Sequence, residues 1–448
     1  MAYALGVLVI VVGLVISIAL HELGHLLPAR LFGVKVPRYF IGFGPTLWST
    51  KRGETEYGIK ALPLGGFVSI SGMFPPLRPG RVEKPRRDGR PTLVQDARAA
   101  SAEELGPHEA HRAFWALSVP KKMAVMFGGP VVNLLLCVVL LAVVVSGFGM
   151  VTRTSTVAGV VDCLPTVNGA HGTSGTTTPR AGDLTCTRTP AAAAGLREGD
   201  QILAWGDRTT TDWAGVQAAI REGGTGVTQV EIVRDGATVA VDVTPALVDR
   251  PELDAEGNVV LDAAGNPVLT PTPYVGIGPE LALEPQPLTV VPGIVAQQAS
   301  ATFGVIARLP VHLAAAASSI VTGEQRTDGV MSVVGVGRVA GEIASADVPG
   351  VYGTAERVAD LLSILASLNM ALFAFNMIPL LPLDGGHIAG ALFEGLRRGW
   401  ARLRGRPDPG PTDTARLLPL TYVVAGLLGA MALVLIVADI VNPLSIFG

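Results

Sequence analysis

The chain has 448 residues, of which 34 are Lys or Arg and 37 are Asp or Glu, so its formal net charge is −3. Charged residues make up 16% of the chain, against roughly 25% in an average soluble domain, while 49% of the residues are hydrophobic. This composition excludes a disordered or fibrous chain, disfavours an ordinary soluble enzyme and indicates a membrane protein.

Four stretches without Asp, Glu, Lys, Arg or His are each long enough to cross a bilayer, which takes roughly 20 helical residues. They are Met1–Leu20, Met123–Thr152, Leu361–Leu383 and Leu417–Ala438. The first lacks a basic start and a small-residue cleavage site, so we interpret it as a retained span and not as a signal peptide. Arg and Lys concentrate in the first and last connections between spans, whereas residues 155–356 contain no Lys. Both basic connections are therefore predicted to face the cytoplasm, with both termini outside.

The predicted fold class is a polytopic α-helical membrane protein with four transmembrane helices, a membrane-level β-hairpin region and an outward β-rich domain. The predicted segments are a first transmembrane helix (1–31), membrane-associated strands or a hairpin (32–74), a cytoplasmic loop (75–118), a second transmembrane helix (119–152), the outward domain with insertions (155–285), an interfacial or amphipathic helical region (289–345), a third transmembrane helix (358–384), a cytoplasmic basic loop (385–416) and a fourth transmembrane helix (417–440).

Two of these segments leave alternatives open. Residues 289–320 are apolar but include Gln297, Gln298, Arg308 and His312, which favours an interfacial helix over a fifth span. In the outward domain we expect a strand at Gln201–Trp205, an amphipathic helix in DWAGVQAAI, a hairpin turn at Asp235-Gly236, a second hairpin at 250–272 and a strand at Tyr274–Gly278. Cys163 and Cys186 there form either a disulfide or two free thiols.

The motif His21-Glu22-Leu23-Gly24-His25 ends the first predicted span. On a helix, positions i and i+4 share a face, so both imidazoles can reach one metal ion with Glu22 beside it. Two neutral ring nitrogens suit Zn²⁺, and the carboxylate can take a proton from a bound water. The alternative is a polar helix end at the membrane surface. Three ionisable groups directly after 20 uncharged residues are costly in lipid, which favours the metal site.

A catalytic zinc needs a third protein ligand and an open position. Asp384 is the first ionisable side chain after the third predicted span, on the same predicted side as His21 and His25. We expect the glycines that follow, at 385 and 386, to break the helix and let the backbone approach the metal. The alternatives are an ordinary interfacial charge at Asp384 and a rival ligand in His387. Asn376, about two turns earlier, either donates to a developing oxyanion or bridges helices.

With these motifs the chain resembles the site-2 protease family of intramembrane zinc metalloproteases, most closely its bacterial RseP-type members. Its composition, which is poor in Lys, is similar to that of actinobacterial members. HELGH matches the family's HExxH, and Asn376 to Gly385, with Pro379 between them, matches its N-x-x-P-x-x-x-L-D-G. Gly129-Pro130-Val131-Val132-Asn133 matches its G-P-x-x-N segment. AGLREGD at 194–200 resembles its PDZ module. The likeness covers most of the chain.

The resemblance implies a zinc metalloendopeptidase that cuts peptide bonds within transmembrane segments. His21, His25 and Asp384 would hold Zn²⁺, and Glu22 would be the general base. A similar Gly-Gly segment in relatives forms a membrane-level hairpin whose edge takes the unwound substrate as an added strand; an ordinary cytoplasmic turn is the alternative. The implied substrate-binding residues are Asn376, Pro379, Gly65, Gly66, Phe67, Val68 and Asn133.

The implied partners are single-span membrane proteins already trimmed on their outer side, such as anti-sigma factors, or remnant signal peptides. The lipid bilayer and an upstream outer-side protease are further expected partners, and nucleic acid is not. The implied location is the plasma membrane, with the PDZ domain extracytoplasmic and the active site near the cytoplasmic side. Two other hypotheses are an inactive scaffold that binds envelope proteins through its PDZ domain, and a metal transporter. A complete set of ligands and base disfavours the scaffold, and a single compact site disfavours a conduction path.

Overall fold

The computed structural model describes residues 1–77, 90–106, 108–167, 184–252, 259–262, 265–323, 326, 330–346 and 353–443. The chain divides into two compact units. One unit comprises Met1–Phe148 with Gln286–Gly448, and the other comprises Gly149–Pro285. The first holds the long apolar helices and one β-hairpin, and the second holds most of the strands.

The α-helices in the described part of the chain are α1 (Ala2–Leu31), α2 (Leu93–Glu103), α3 (Val119–Val143), α4 (Pro190–Ala194), α5 (Trp213–Gly223), α6 (Val291–Ala307), α7 (Leu309–Thr322), α8 (Val333–Ser345), α9 (Thr354–Asn376), α10 (Asp384–Leu403) and α11 (Leu418–Val441). A π-helical turn, Val144–Phe148, continues α3. Single 3-10 turns lie at Ala110–Arg112, Phe114–Ala116, Leu288–Val290 and Thr414–Leu417.

Five helical segments among the described residues are long and apolar enough to cross a membrane: Ala2–Leu31, Val119–Phe148, Leu288–Ala307, Thr354–Asn376 and Thr414–Val441. The chain is therefore a multi-pass membrane protein with substantial helical content. Four of these segments overlap the predicted spans. The additional one contains α6, from the region predicted to be interfacial, so by length and composition it qualifies as a span. The number of spans stays a prediction.

Helices α1 and α3 cross in direct backbone contact. A Cβ atom added to Gly24 would overlap the carbonyl oxygen of Gly128, and one added to Gly128 would overlap the carbonyl oxygen of Gly24. Small residues at such a crossing let two membrane helices approach closely. On another face of α1, the buried Asn369 side chain of α9 donates from Nδ2 to Ser17 Oγ over 2.9 Å. Helix α1 is thus held from two sides near the HELGH motif.

The third predicted span ends earlier than expected. Helix α9 stops at Asn376, seven irregular residues follow, and Asp384 begins α10. Gly385 and Gly386 do not break a helix as expected but lie inside the first turn of α10, where a Cβ atom would overlap the Ile378 carbonyl oxygen or lie 2.5 Å from the Leu381 nitrogen. These glycines therefore let the irregular segment fold back against the start of α10. The segment predicted to be a basic loop, 385–416, contains all but the first residue of this 20-residue helix.

The hairpin of the first unit is formed by β1 (Arg38–Arg52) and β2 (Thr55–Ser69). The first part of β1, Arg38–Ile41, pairs on one side with 56–59 and on the other with 66–69. The two ends of β2 therefore flank β1. The 66–69 end has no second backbone partner strand among the described residues, so it is a sheet edge.

The second unit is built on a sheet with strand order β12-β3-β6-β8-β9, with β7 paired to β6. Its strands are β3 (Met150–Val160), β6 (Gln201–Trp205), β7 (Arg208–Thr209), β8 (Thr228–Arg234), β9 (Ala237–Val243) and β12 (Ile277–Glu284). Helix α5 packs on this sheet through Trp213, Val216 and Ile220. Two further antiparallel pairs join β4 (Cys163–Val167) to β5 (Leu184–Arg188) and β10 (Ala246–Pro251) to β11 (Leu269–Tyr274).

Several local predictions in this unit are confirmed. The expected strand Gln201–Trp205 is β6, and Asp235-Gly236 is the two-residue turn between β8 and β9, with φ of 51° and 78°. The strand expected at 274–278 is instead divided between the end of β11 and the start of β12. Cys163 is disulfide-bonded, and Cys137 is a buried free thiol.

Candidate metal centre

Helix α1 brings His21 and His25 onto one face, one turn apart, as the motif predicts. Their Nε2 atoms lie 3.3 Å apart. Asp384, at the first position of α10, places its Oδ2 atom 3.3 Å from each of these nitrogens. These three side chains form the one cluster in the described part of the chain whose donor atoms converge closely enough for a metal ion.

The spacing of these three atoms fits a tetrahedral zinc ion. Zn²⁺ binds imidazole nitrogen and carboxylate oxygen at ~2.0–2.1 Å, which places neighbouring donors of a tetrahedron about 3.3 Å apart. All three observed separations equal that value. Oδ2 of Asp384 is also buried without a hydrogen-bond partner, as expected of an atom reserved for a metal. The donor set and its geometry therefore fit zinc.

Helix α3 contacts the far side of both imidazoles. Nδ1 of His25 lies 2.8 Å from the Val125 carbonyl oxygen, and Nδ1 of His21 lies 3.1 Å from the side-chain amide of Asn133. Asn133 is fully buried, and its Oδ1 atom has no hydrogen-bond partner. At Gly129 a Cβ atom would overlap His25 Nε2 and lie 2.8 Å from His21 Cε1. The missing side chain at this position makes room for both rings.

Glu22 lies beside the cluster in a cavity of about 290 Å³. The backbone of Val68 in β2 lies next to its carboxylate. The lining residues of this cavity are His21, Glu22, His25, Gly66, Phe67, Val68, Ile70, Met73, Met126, Asn376, Pro382, Asp384 and His387. The cavity therefore joins the three donors, the adjacent carboxylate and the edge of the hairpin in one space.

The predicted substrate-binding residues are not all brought to this cavity. Gly66, Phe67, Val68 and Asn376 line it. Gly65, Pro379 and Asn133 are not among its lining residues: Gly65 has a φ of 138° at the bend of β2, Pro379 is exposed, and Asn133 is buried behind His21. Whether any of them binds substrate stays a prediction.

His387, the rival third ligand, lies one turn after Asp384 and lines the cavity. It is not part of the converging three-atom cluster. Burial lowers the pKa of its imidazole to about 4, so the ring is neutral at physiological pH.

Sequence reasoning missed Val125 and Gly129 as neighbours of the ligands. Val125 acts through its carbonyl group, which carries no side-chain signature. Gly129 stands out in the sequence only as part of the G-P-x-x-N motif. Its role beside the histidines depends on how closely α3 crosses α1, which the sequence does not show.

Comparison with known proteins points to one family. Residues 9–406 match peptidase family M50. The chain is 34% identical over 464 residues to the zinc metalloprotease Rip1 of Mycolicibacterium smegmatis, covering 100% of both chains. It is 33% identical over 451 residues to the zinc metalloprotease Rip1 of Mycobacterium tuberculosis, again covering 100% of both. The regulator of sigma-W protease RasP of Bacillus subtilis is 24% identical over 429 residues, covering 84% of this chain and 87% of that protein.

Proposed function

The chain belongs to peptidase family M50 and is an intramembrane zinc metalloprotease, and we propose that it cuts single-span membrane proteins within their spans. The proposed substrates are anti-sigma-type proteins already trimmed on their outer side, or remnant signal peptides. The observation that supports this best is the cavity that places three zinc-spaced donors, Glu22 and the hairpin edge together. A water, a peptide carbonyl and a general base can meet there.

The residues that would hold zinc are His21, His25 and Asp384, whose donor atoms converge at the cavity. Zinc, when bound, acidifies a water and polarises the scissile carbonyl. Glu22 takes the proton from the attacking water and returns it to the leaving amine. Val68 lines the same cavity, and its backbone N–H is proposed to hold the Glu22 carboxylate during both transfers.

Two hydrogen bonds from α3 set the protonation of the imidazole rings. A ring that binds zinc through Nε2 must carry its proton on Nδ1, and that proton needs an acceptor. For His25 the acceptor is the Val125 carbonyl. For His21 the partner is the Asn133 amide, whose Oδ1 and Nδ2 exchange places by a flip of the side chain. We assign Asn133 the role of accepting the His21 proton through Oδ1.

Substrate is proposed to bind as an added strand on the 66–69 edge of β2. A protease cannot cut a closed helix, so the unwound substrate must pair its freed backbone groups inside the membrane. Gly66 lies against α1, where a Cβ atom would be 3.1 Å from Glu22 Cγ and 3.2 Å from Ile18 Cγ2. The strand edge is therefore close to the general base. Asn376 lines the same cavity and is proposed to orient the substrate carbonyl.

The unit Gly149–Pro285 is proposed to be a PDZ domain on the outer side of the plasma membrane, with the metal centre near the cytoplasmic side. Its short α4 is capped at Thr189 and ends at Gly195, which has a φ of 74°. The following Asp200 is buried and accepts hydrogen bonds from the Arg197 N–H and the Arg234 guanidinium. The absence of Lys in residues 155–356 supports the outward orientation.

A cleavage assay in lipid nanodiscs tests this function. The substrate is a trimmed anti-sigma-type single-span protein, and mass spectrometry maps the cut. We expect wild type to cut inside the span and Glu22→Gln to keep its zinc while losing at least roughly 10²–10⁴-fold in rate. Glu103→Gln, an exposed change in the same unit, should cut like wild type. Full turnover by Glu22→Gln, or cutting by wild type stripped of zinc, would contradict the proposal.

A further inference from the structure

Helix α10 presents an apolar stripe whose side chains are all at least half exposed in the described part of the chain. Its members are Leu392, Phe393, Leu396, Trp400 and Leu403, whose exposed fractions are 51%, 56%, 67%, 57% and 85%. At 3.6 residues per turn these positions fall within an arc of about 100°. Single exposed apolar side chains are common and scattered over a protein surface, whereas these five lie along one face of a helix. A contiguous apolar surface of this kind marks an interaction site.

The opposite face of α10 is firmly packed. Ile388, Ala391 and Ala401 are buried, and the buried Glu394 carboxylate accepts from Lys122 Nζ of α3 at 2.8 and 2.9 Å. The helix therefore has a fixed orientation in its unit, and the stripe points away from the protein.

The chain places α10 beside the bilayer surface. Seven residues separate it from the end of α9, and it is followed, at residue 414, by the segment that contains α11. Both neighbours are long and apolar enough to cross the membrane. A helix between the ends of two such spans, with one apolar face, has the pattern of a helix that lies in the interface.

Charge at the end of α10 fits an anionic surface. Arg402, Arg404 and Arg406 are exposed, and in the described part of the chain no carboxylate lies within ion-pair distance of them. The Arg404 guanidinium lies 4.3 Å from the centre of the Trp400 ring. Tryptophan and arginine side by side are typical of side chains at the level of lipid headgroups.

We propose that the α10 stripe is seated in the lipid bilayer at the membrane surface where α9 ends, with Arg402, Arg404 and Arg406 bound to anionic phospholipid headgroups. Because Asp384 is the first residue of the same rigid helix, this contact also holds the carboxylate at its position beside His21 and His25. The coupling to Asp384 rests on the proposed zinc site, whereas the lipid contact does not.

Fluorescence quenching by brominated lipids tests the contact without any cleavage assay. Wild type, Trp400→Phe and Trp213→Phe are reconstituted in nanodiscs with lipids brominated near the headgroup or deep in the acyl chain. Trp213 is buried in the other unit, so its loss should leave the quenched signal intact. We expect Trp400→Phe to lose a large share of the quenching by shallow bromines. Equal quenching in wild type and Trp400→Phe would overturn the proposal. So would the finding that a second copy of the chain covers Trp400 and protects it from quenching at every lipid composition.

Lipid charge tests the coupling. Zinc release to a chelator is timed in phosphatidylcholine nanodiscs with and without phosphatidylglycerol. We expect the anionic lipid to slow release several-fold in wild type and to have no effect when Arg402, Arg404 and Arg406 are all changed to Gln. Arg153, Arg197 and Arg221, exposed in the other unit, give a charge-matched control triple that should respond like wild type. If the rate of zinc release from wild type were the same with and without phosphatidylglycerol, the proposed link between the lipid contact and Asp384 would be refuted.

Discussion

His21 and His25 come from an unbroken helix, whereas Asp384 comes from the first turn of a helix that follows a seven-residue break. The histidine half is fixed by direct backbone contact between α1 and α3, with no room for even a methyl group. The aspartate half combines the close packing of Gly385 and Gly386 against the preceding segment with a side-chain contact, the buried ion pair that joins α10 to α3. The two halves of one metal centre can therefore be disrupted separately, the histidine half by crowding at the crossing of α1 and α3 and the aspartate half by loss of an ion-pair partner.

The sharpest way to break the histidine half is Gly129→Ala. The added Cβ would overlap His25 Nε2, one of the donor atoms, so we expect zinc content to fall close to zero. Metal analysis of the purified protein measures this. Gly399→Ala, where nothing lies within 4 Å of the added Cβ, is the matched control in α10 and should retain zinc. If Gly129→Ala bound as much zinc as wild type, α1 and α3 would have to move apart easily, and the proposed tight crossing would be contradicted.

Glu394→Gln tests the aspartate half. Lys122 and Glu394 are 4% and 2% exposed at their side chains, and removing one partner of a buried pair costs about 3–5 kcal/mol. Unfolding measurements in detergent should show this decrease in the free energy of unfolding. The double variant Lys122→Met with Glu394→Leu should recover much of that free energy. Glu222→Gln, which breaks the exposed pair with Arg208, should cost within roughly 0–1 kcal/mol. Equal costs for the two single variants would contradict the proposed fastening.

Asn133→Leu has the smallest expected effect on the metal centre. It tests a residue that positions a zinc ligand without being a ligand itself. Loss of a hydrogen bond to a ligating histidine weakens metal affinity by roughly 10–100-fold. Chelator competition should show that loss, and Asn133→Asp should restore affinity because a carboxylate also accepts the His21 proton. Asn369→Leu removes a buried amide of α9 that bonds Ser17 and should leave zinc affinity unchanged. Wild-type affinity in Asn133→Leu would refute the positioning role.

The same contrast explains what the sequence allowed us to predict. The HELGH pair could be placed because helical periodicity alone puts positions i and i+4 on one face. Turn chemistry was equally local, so Asp235-Gly236 was correctly located between two strands. Asp384 was identified by its position after an uncharged stretch, but the helix boundary was not, because seven apolar residues after Asn376 look like a continuing span.

Tertiary packing accounts for what could not be predicted. Helix α10 was expected to be a loop because five glycines and its arginines dilute its apolar periodicity. Its stability comes from packing against α3 and from the Lys122–Glu394 pair, whose members are 272 residues apart. The place of Asn133 behind His21 likewise depends on a crossing of two helices that no local pattern encodes.

X-ray absorption at the zinc edge tests the ligand set most directly, because multiple scattering counts the imidazole rings around the metal. We expect about one zinc per chain with two imidazoles, a count that His387→Ala leaves unchanged while Asp384→Asn lowers zinc occupancy. Three imidazoles in wild type that fall to two in His387→Ala, with zinc retained in Asp384→Asn, would contradict the assignment of His21, His25 and Asp384 as the zinc ligands.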